Sequence, residues 1–145
     1  MKCPKCISVD TVQKKIKWEK IRLDYCPKCL GIWLDKGELE KIMPLAIKKL
    51  SVPKKTPKVK FLCPRCQRNL YEFFYPQTLV LVDMCKECSG IWFDNTKEMD
   101  EVQRLRKHYK DSGKLKQYDD VPGIKGFLIN VINKKIELLK DSSEW

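Results

Sequence analysis

Eight cysteines fall into four C-x-x-C pairs, Cys3/Cys6, Cys26/Cys29, Cys63/Cys66 and Cys85/Cys88, and none is left over. Nineteen residues separate the first pair from the second, and eighteen the third from the fourth. That spacing is the ribbon pattern for a tetrahedral metal. A tight turn with Cys at its first and fourth positions aims two sulfurs at one point while its amides face those sulfurs. Two such turns supply four thiolates, enough to close the coordination shell of zinc at about 2.3 Å, and the binding energy of about 10–16 kcal/mol can fold a module too small to fold alone. A single chain of 145 residues divided into two modules needs that help.

Disulfides are the competing reading. The start, Met1-Lys2-Cys3-Pro4, carries no apolar signal segment, so the expected compartment is the cytoplasm, where paired cysteines are metal ligands or redox thiols. No apolar run is long enough to span a bilayer. A thioredoxin-type dithiol needs a longer strand-and-helix context than this chain shows. A rubredoxin-like iron site shares the four-thiolate geometry and is the alternative to two zinc ions.

The chain also repeats itself. Cys26-Pro27-Lys28-Cys29-Leu30-Gly31-Ile32-Trp33-Leu34-Asp35 aligns with Cys85-Lys86-Glu87-Cys88-Ser89-Gly90-Ile91-Trp92-Phe93-Asp94 at an offset of 59, and Glu38 to Ile42 with Glu98 to Val102 at 60. Each half reads as knuckle, hairpin, knuckle, helix. The hairpin strands are expected at Val12–Trp18 and Ile21–Tyr25 in the first half, and at Leu70–Tyr75 and Thr78–Asp83 around Pro76-Gln77 in the second. Asp35 with Glu38, and Asn95 with Glu98, fit a helix-capping pattern, and Asp94 also reads as a cap. Leu39, Ile42, Met43, Ala46, Ile47 and Leu50 would share one face of a first helix that Pro44 kinks or restarts, while Met99, Val102, Leu105 and Tyr109 make a thinner stripe on the second.

The fold class that follows is a small metal-stabilised α+β chain. Its expected parts are a first ribbon and helix over 1–50, a stiff basic Pro/Lys linker over 51–60, a second ribbon and helix over 61–112, and a connector with a C-terminal amphipathic helix over 113–145. In that last part, apolar residues at 124, 127, 128, 131, 132, 136 and 139 keep helical spacing. Such a helix is expected to pack back on a ribbon or helix, or else residues 124–139 serve self-association, a protein partner or contact with a membrane surface.

The series C-P-x-C, hairpin, C-x-x-C, then Gly31, Trp33, Asp35, Gly37, Glu38 and Leu39 resembles the bacterial zinc-finger family related to the transcription factor IIB zinc ribbon, here in tandem. The second half keeps Gly90, Trp92 and Asp94 but has Asn95-Thr96-Lys97 where the family has a shorter step containing Gly. Neither half has the Gly often found after a knuckle's second Cys: Ile7, Leu30, Gln67 and Ser89 stand there. The resemblance implies zinc binding and, by fold analogy alone, a link to transcription. Trp33 and Trp92, at the same place in both halves, are expected to cover the metal sites and join ribbon to helix. His108 is expected to be solvated.

Charge points to a partner. Residues 1–60 hold 16 Lys+Arg against 6 Asp+Glu, and residues 61–145 hold 14 against 13. Two zinc ions with eight thiolates would lower the formal charge of +11 to about +7. Lys14, Lys15, Lys17, Lys20 and Arg22 on the first hairpin, with Lys48, Lys49, Lys54, Lys55, Lys58 and Lys60, are the candidate nucleic-acid-binding residues. Lysine outnumbers arginine, so contact with nucleic acid or a nucleoprotein complex would be to backbone phosphates more than to base edges. Four cysteines close a zinc site to substrate, and no phosphate loop or catalytic triad accompanies them, so the chain is read as non-enzymatic. A redox-sensitive zinc–thiolate role, in which oxidation ejects the metal, is a third reading.

Overall fold

The computed structural model describes residues 1–15 and 21–116. Ile16, Lys17, Trp18 and Lys20 of the first hairpin, and the amphipathic segment 124–139, lie outside the described residues.

Both expected hairpins form. In the first, β1 (Val12–Lys15) pairs antiparallel with β2 (Arg22–Tyr25). In the second, β5 (Asn69–Phe74) pairs with β6 (Leu81–Met84). The apolar triplets after the second knuckles are strands as well: β3 (Ile32–Leu34) lies beside β2, and β7 (Ile91–Phe93) beside β6. These two short strands pair with each other, antiparallel, with Ile32 opposite Phe93, Trp33 opposite Trp92 and Leu34 opposite Ile91. The two ribbons are therefore not independent sheets. Counting β4 (Lys58–Leu62), the halves share one sheet of order β1-β2-β3-β7-β6-β5-β4. A three-residue strand has too few ladder bonds to stand alone, and joining the two triplets buries both on both faces.

Alternation along the strands divides side chains between two layers. Leu23, Ile32, Leu34, Phe73, Val82, Met84, Ile91 and Phe93 face the helices. Trp33, Trp92 and Leu70 face the other way and pack with the cysteines. The molecule is a sheet with helices on one side and both sets of knuckles on the other.

Two elements differ from expectation. The first helix, α1 (Glu38–Ile42), is five residues long and stops before Pro44. Proline lacks the amide the next turn requires and biases Met43 to extended backbone, here φ −123° and ψ 97°. Met43, Ala46 and Ile47 are still buried, as expected, but a non-helical segment carries them. The Ile47 amide donates to the Tyr75 hydroxyl at 2.8 Å, which pins that segment to the sheet. The basic linker is shorter than expected: its end, from Lys58, is strand β4 paired with β5, and Pro53 is buried.

The second helix, α2 (Thr96–Asp111), starts as the capping pattern requires despite its Asn-Thr-Lys step. The Asn95 carboxamide oxygen accepts from the Glu98 amide at 3.0 Å. Met99, Val102 and Leu105 are its buried stripe. Arg106 is fully buried too, donating from Nε to the Leu45 carbonyl and from Nη1 to the Lys116 carbonyl, both at 2.7 Å. No helix of the described residues is long and apolar enough to cross a membrane.

Candidate metal centres

Each knuckle is one local turn written four times. The amide after the second Cys donates to the carbonyl of the first: Ile7 to Cys3, Leu30 to Cys26, Gln67 to Cys63 and Ser89 to Cys85, at 2.9–3.1 Å. That closure forces the donor residue into the left-handed region, with φ of 65°, 67°, 60° and 60°. Glycine would adopt it freely, and none of the four positions has it. Amides of the turn also face the first sulfur, Cys6 N–H to Cys3 Sγ at 3.3 Å and Cys66 N–H to Cys63 Sγ at 3.3 Å. Such donors stabilise thiolate and orient the ligands.

The turns meet in pairs. Cys3, Cys6, Cys26 and Cys29 form one cluster, and Cys63, Cys66, Cys85 and Cys88 the other, with all four sulfurs of each within 4.8 Å of one another. Cys3 Sγ to Cys29 Sγ is 3.7 Å, Cys26 Sγ to Cys6 Sγ 3.9 Å, and Cys63 Sγ to Cys88 Sγ 3.7 Å. A tetrahedron of sulfurs about 2.3 Å from a central zinc has edges of about 3.8 Å, so the donor sets fit that ion. None of the eight is in a disulfide. Their protonation agrees with a need for a cation. Burial pushes the Cys3 and Cys63 thiols far above their usual range and Cys88 up to about 11, whereas Cys26 falls to about 7 because amides of Cys29 and Lys28 and neighbouring thiols outweigh its burial. Four sulfurs held this close share negative charge only around a positive ion.

Trp33 and Trp92 lie in the same apolar cluster as the metal-site cysteines, as expected, but they join half to half and not ribbon to helix. A Cβ placed on Gly31 would sit 2.0 Å from Trp92 Cζ2, and one on Gly90 would sit 2.1 Å from Trp33 Cζ2. Each indole thus occupies the space that the other half's glycine leaves open. The aspartates after the tryptophans are not caps. Asp35 Oδ1 accepts from Trp33 Nε1 at 2.9 Å and Asp94 Oδ1 from Trp92 Nε1 at 3.1 Å. At α1 the cap residue is Gly37, and only half of the capping box survives, the Glu38 carboxylate accepting from the Asp35 amide at 2.8 Å.

Two functional side chains escaped the sequence reading. Lys5, in the first knuckle, places Nζ 2.9 Å from Asp83 Oδ2 and 3.9 Å from Asp94 Oδ1, both in the second half. Arg65, in the third, donates to Asp24 Oδ2 and Asp35 Oδ2 at 3.0 Å, both in the first half. The repeat held the signal: Lys5 and Arg65 are 60 apart, Asp24 and Asp83 59 apart, and Asp35 and Asp94 59 apart. Asp83 is almost wholly buried, and that burial raises its carboxyl to about 6 against the pull of Lys5.

The candidate basic residues are divided by the fold. Lys14 and Lys15 are exposed on edge strand β1, with Arg22 beside them. Lys58 and Lys60 are exposed on β4, at the opposite edge. Six strand spacings separate those edges, roughly 29 Å at about 4.8 Å each. Lys48, Lys49, Lys54 and Lys55 are exposed in the segments between α1 and β4. Lys17 and Lys20 lie outside the described residues. His108 is exposed, as expected, with its ring edge against Tyr109.

Comparison with known proteins agrees with this geometry. Residues 2–44 and 62–102, together more than half of the chain, match the family described as transcription factor zinc-finger, of the TFIIB zinc-ribbon type. Neither the curated proteins nor the solved structures contain a match.

Proposed function

Since the chain belongs to the transcription factor zinc-finger family through both of its halves, a family of structural and interaction modules and not of catalysts, we propose that it is a two-zinc scaffold that contacts nucleic acid or a nucleoprotein complex through the phosphate backbone. Zinc is the favoured ion because four-thiolate shells of this size suit it and the family takes its name from it.

The supporting observation is which cations the fold leaves uncompensated. Lys2, Lys5, Arg65, Arg68 and Arg104 each stand within 4 Å of a carboxylate. Among the described residues, none of Lys14, Lys15, Arg22, Lys48, Lys49, Lys54, Lys55, Lys58 and Lys60 does so. Exposed edge lysines without a carboxylate partner keep sheet edges from pairing with other chains; they are also the footprint of phosphate tracking. Because Lys14 and Lys15 lie on one edge strand and Lys58 and Lys60 on the other, an extended strand wrapping the molecule suits them better than a single flat patch.

Fluorescence anisotropy of zinc-loaded protein against labelled single- and double-stranded DNA and RNA, across a salt series, tests the reading. Affinity should fall by orders of magnitude between about 50 and 200 mM salt, and replacing Lys14, Lys15 and Arg22 with Ala should flatten the salt slope by about one unit per lost contact. No binding to any of these at low salt overturns it.

A further inference from the structure

The contacts between the halves are reciprocal in the way of a twofold interface between identical subunits, where residue i meets j and j meets i. Trp33 seals Gly90 and Trp92 seals Gly31. Lys5 of the first metal site reaches Asp83 and Asp94, and Arg65 of the second reaches Asp24 and Asp35. Asp24 and Asp83 lie on the sheet's knuckle side, each two residues before a metal-ligating Cys, and Asp35 and Asp94 hold the indoles that cover the clusters. Each clamp therefore links a knuckle of one site to an aspartate two residues before a cysteine of the other. The aspartate that a basic residue clamps across the interface is tied through the chain to the other site's ligands.

We propose that Lys5 and Arg65 are positioning residues that hold each half's first knuckle on the other half's sheet, and that through them the two metal sites load and empty as one unit. This rests on the reading of both four-cysteine clusters as metal sites. The physical reason is economy of order. A metal ion organises its own knuckles, docked knuckles place Lys5 or Arg65 at the partner half's aspartates, and those aspartates then need less ordering when the second ion arrives. Asp83 raises the cost of undocking, because its buried carboxylate has Lys5 as its cationic partner and one oxygen, Oδ1, without a hydrogen bond among the described residues. Freeing Lys5 would leave that charge to the sheet of the opposite half.

Cobalt(II) loading of the full chain, followed by thiolate-to-metal absorption under chelator competition, tests the coupling. The unaltered chain must first bind two ions; binding none fails the metal reading itself. With two bound, release should follow one transition steeper than independent sites allow. Disabling the second site with Cys63→Ser and Cys66→Ser should weaken the first at least tenfold, and Cys3→Ser with Cys6→Ser should weaken the second likewise. Lys5→Ala should weaken both sites, while Lys5→Arg should keep wild-type behaviour, because Arg already serves at the equivalent position 65. Sites that keep their full affinity when the other is disabled, or a Lys5→Ala chain altered at the first site only, overturn the proposal.

Discussion

At single residues the knuckles carry a measurable strain. Ile7 is β-branched, sits at φ 65° and leaves 72% of its surface in water. The left-handed region costs a residue with a Cβ about 1–2 kcal/mol, whereas glycine loses about 0.5–1 kcal/mol in chain entropy on folding. The strain outweighs that entropy, and little burial is forfeited. Ile7→Gly should therefore stabilise the zinc-loaded protein by about 0.5 kcal/mol in denaturant titration, and a loss of stability would show that the side chain packs where its exposure says it does not. Gly31 presents the opposite case. Its φ is not in the left-handed region, so its need for glycine is purely spatial: a Cβ meets the fully buried Trp92 ring at 2.0 Å. Gly31→Ala should cost about 1–3 kcal/mol as the indole is forced from its seat, and Gly90→Ala, against Trp33, should cost the same. A midpoint shift in thermal unfolding reads both, and near-neutral behaviour of either would mean that the two indoles are not locked.

Among elements, the segment after α1 depends on one hydroxyl. Tyr75 is fully buried, and its oxygen accepts the Ile47 amide at 2.8 Å. Tyr75→Phe keeps the ring and strands that amide, which costs about 1–3 kcal/mol when a buried donor loses its partner. The variant should unfold at a lower temperature while still binding two metal ions; loss of metal instead would mean that the segment supports the knuckles. The sequence makes the hairpins and α2 readable because alternation and a capped amphipathic stripe run long enough to show a period. It makes β3 and β7 unreadable as a pair because Ile-Trp-Leu and Ile-Trp-Phe are apolar at every position, a pattern with no period that fits any buried segment. Strand β4 did carry a signal, the alternation of Val59 and Phe61 with Lys58 and Lys60, but neighbouring prolines and lysines read as linker. The grouping of the cysteines into two fours was legible, since the C-x-x-C spacing pairs one knuckle with the next. The Lys5 and Arg65 clamps were not, because a lone cation has no periodicity and only the partner half's aspartates give it meaning.

For the whole molecule, the question is what joins the halves, the covalent linker or the interface. The interface holds the β3–β7 ladder, two interlocked indoles and two ionic clamps, and none of these passes through residues 51–57. Lys54 and Lys55 form an exposed turn there, and Lys55 has φ 63°. A short flexible tether supplies an effective concentration in the millimolar range, so cutting it separates halves whose own association is weaker than the working concentration. Two indoles with no exposed surface, packed within one apolar cluster that spans both metal sites, favour association well below that range. A specific protease site inserted after Lys55 of the full chain should therefore leave, after cleavage, a single species at about 10 µM in size-exclusion chromatography, with the mass of the uncut protein. Adding chelator should then release the two fragments, because the knuckles that carry Lys5 and Arg65 lose their order with the metal. Fragments that separate while still metal-loaded would place the cohesion in the linker, and the shared sheet would then be a consequence of tethering and not its substitute.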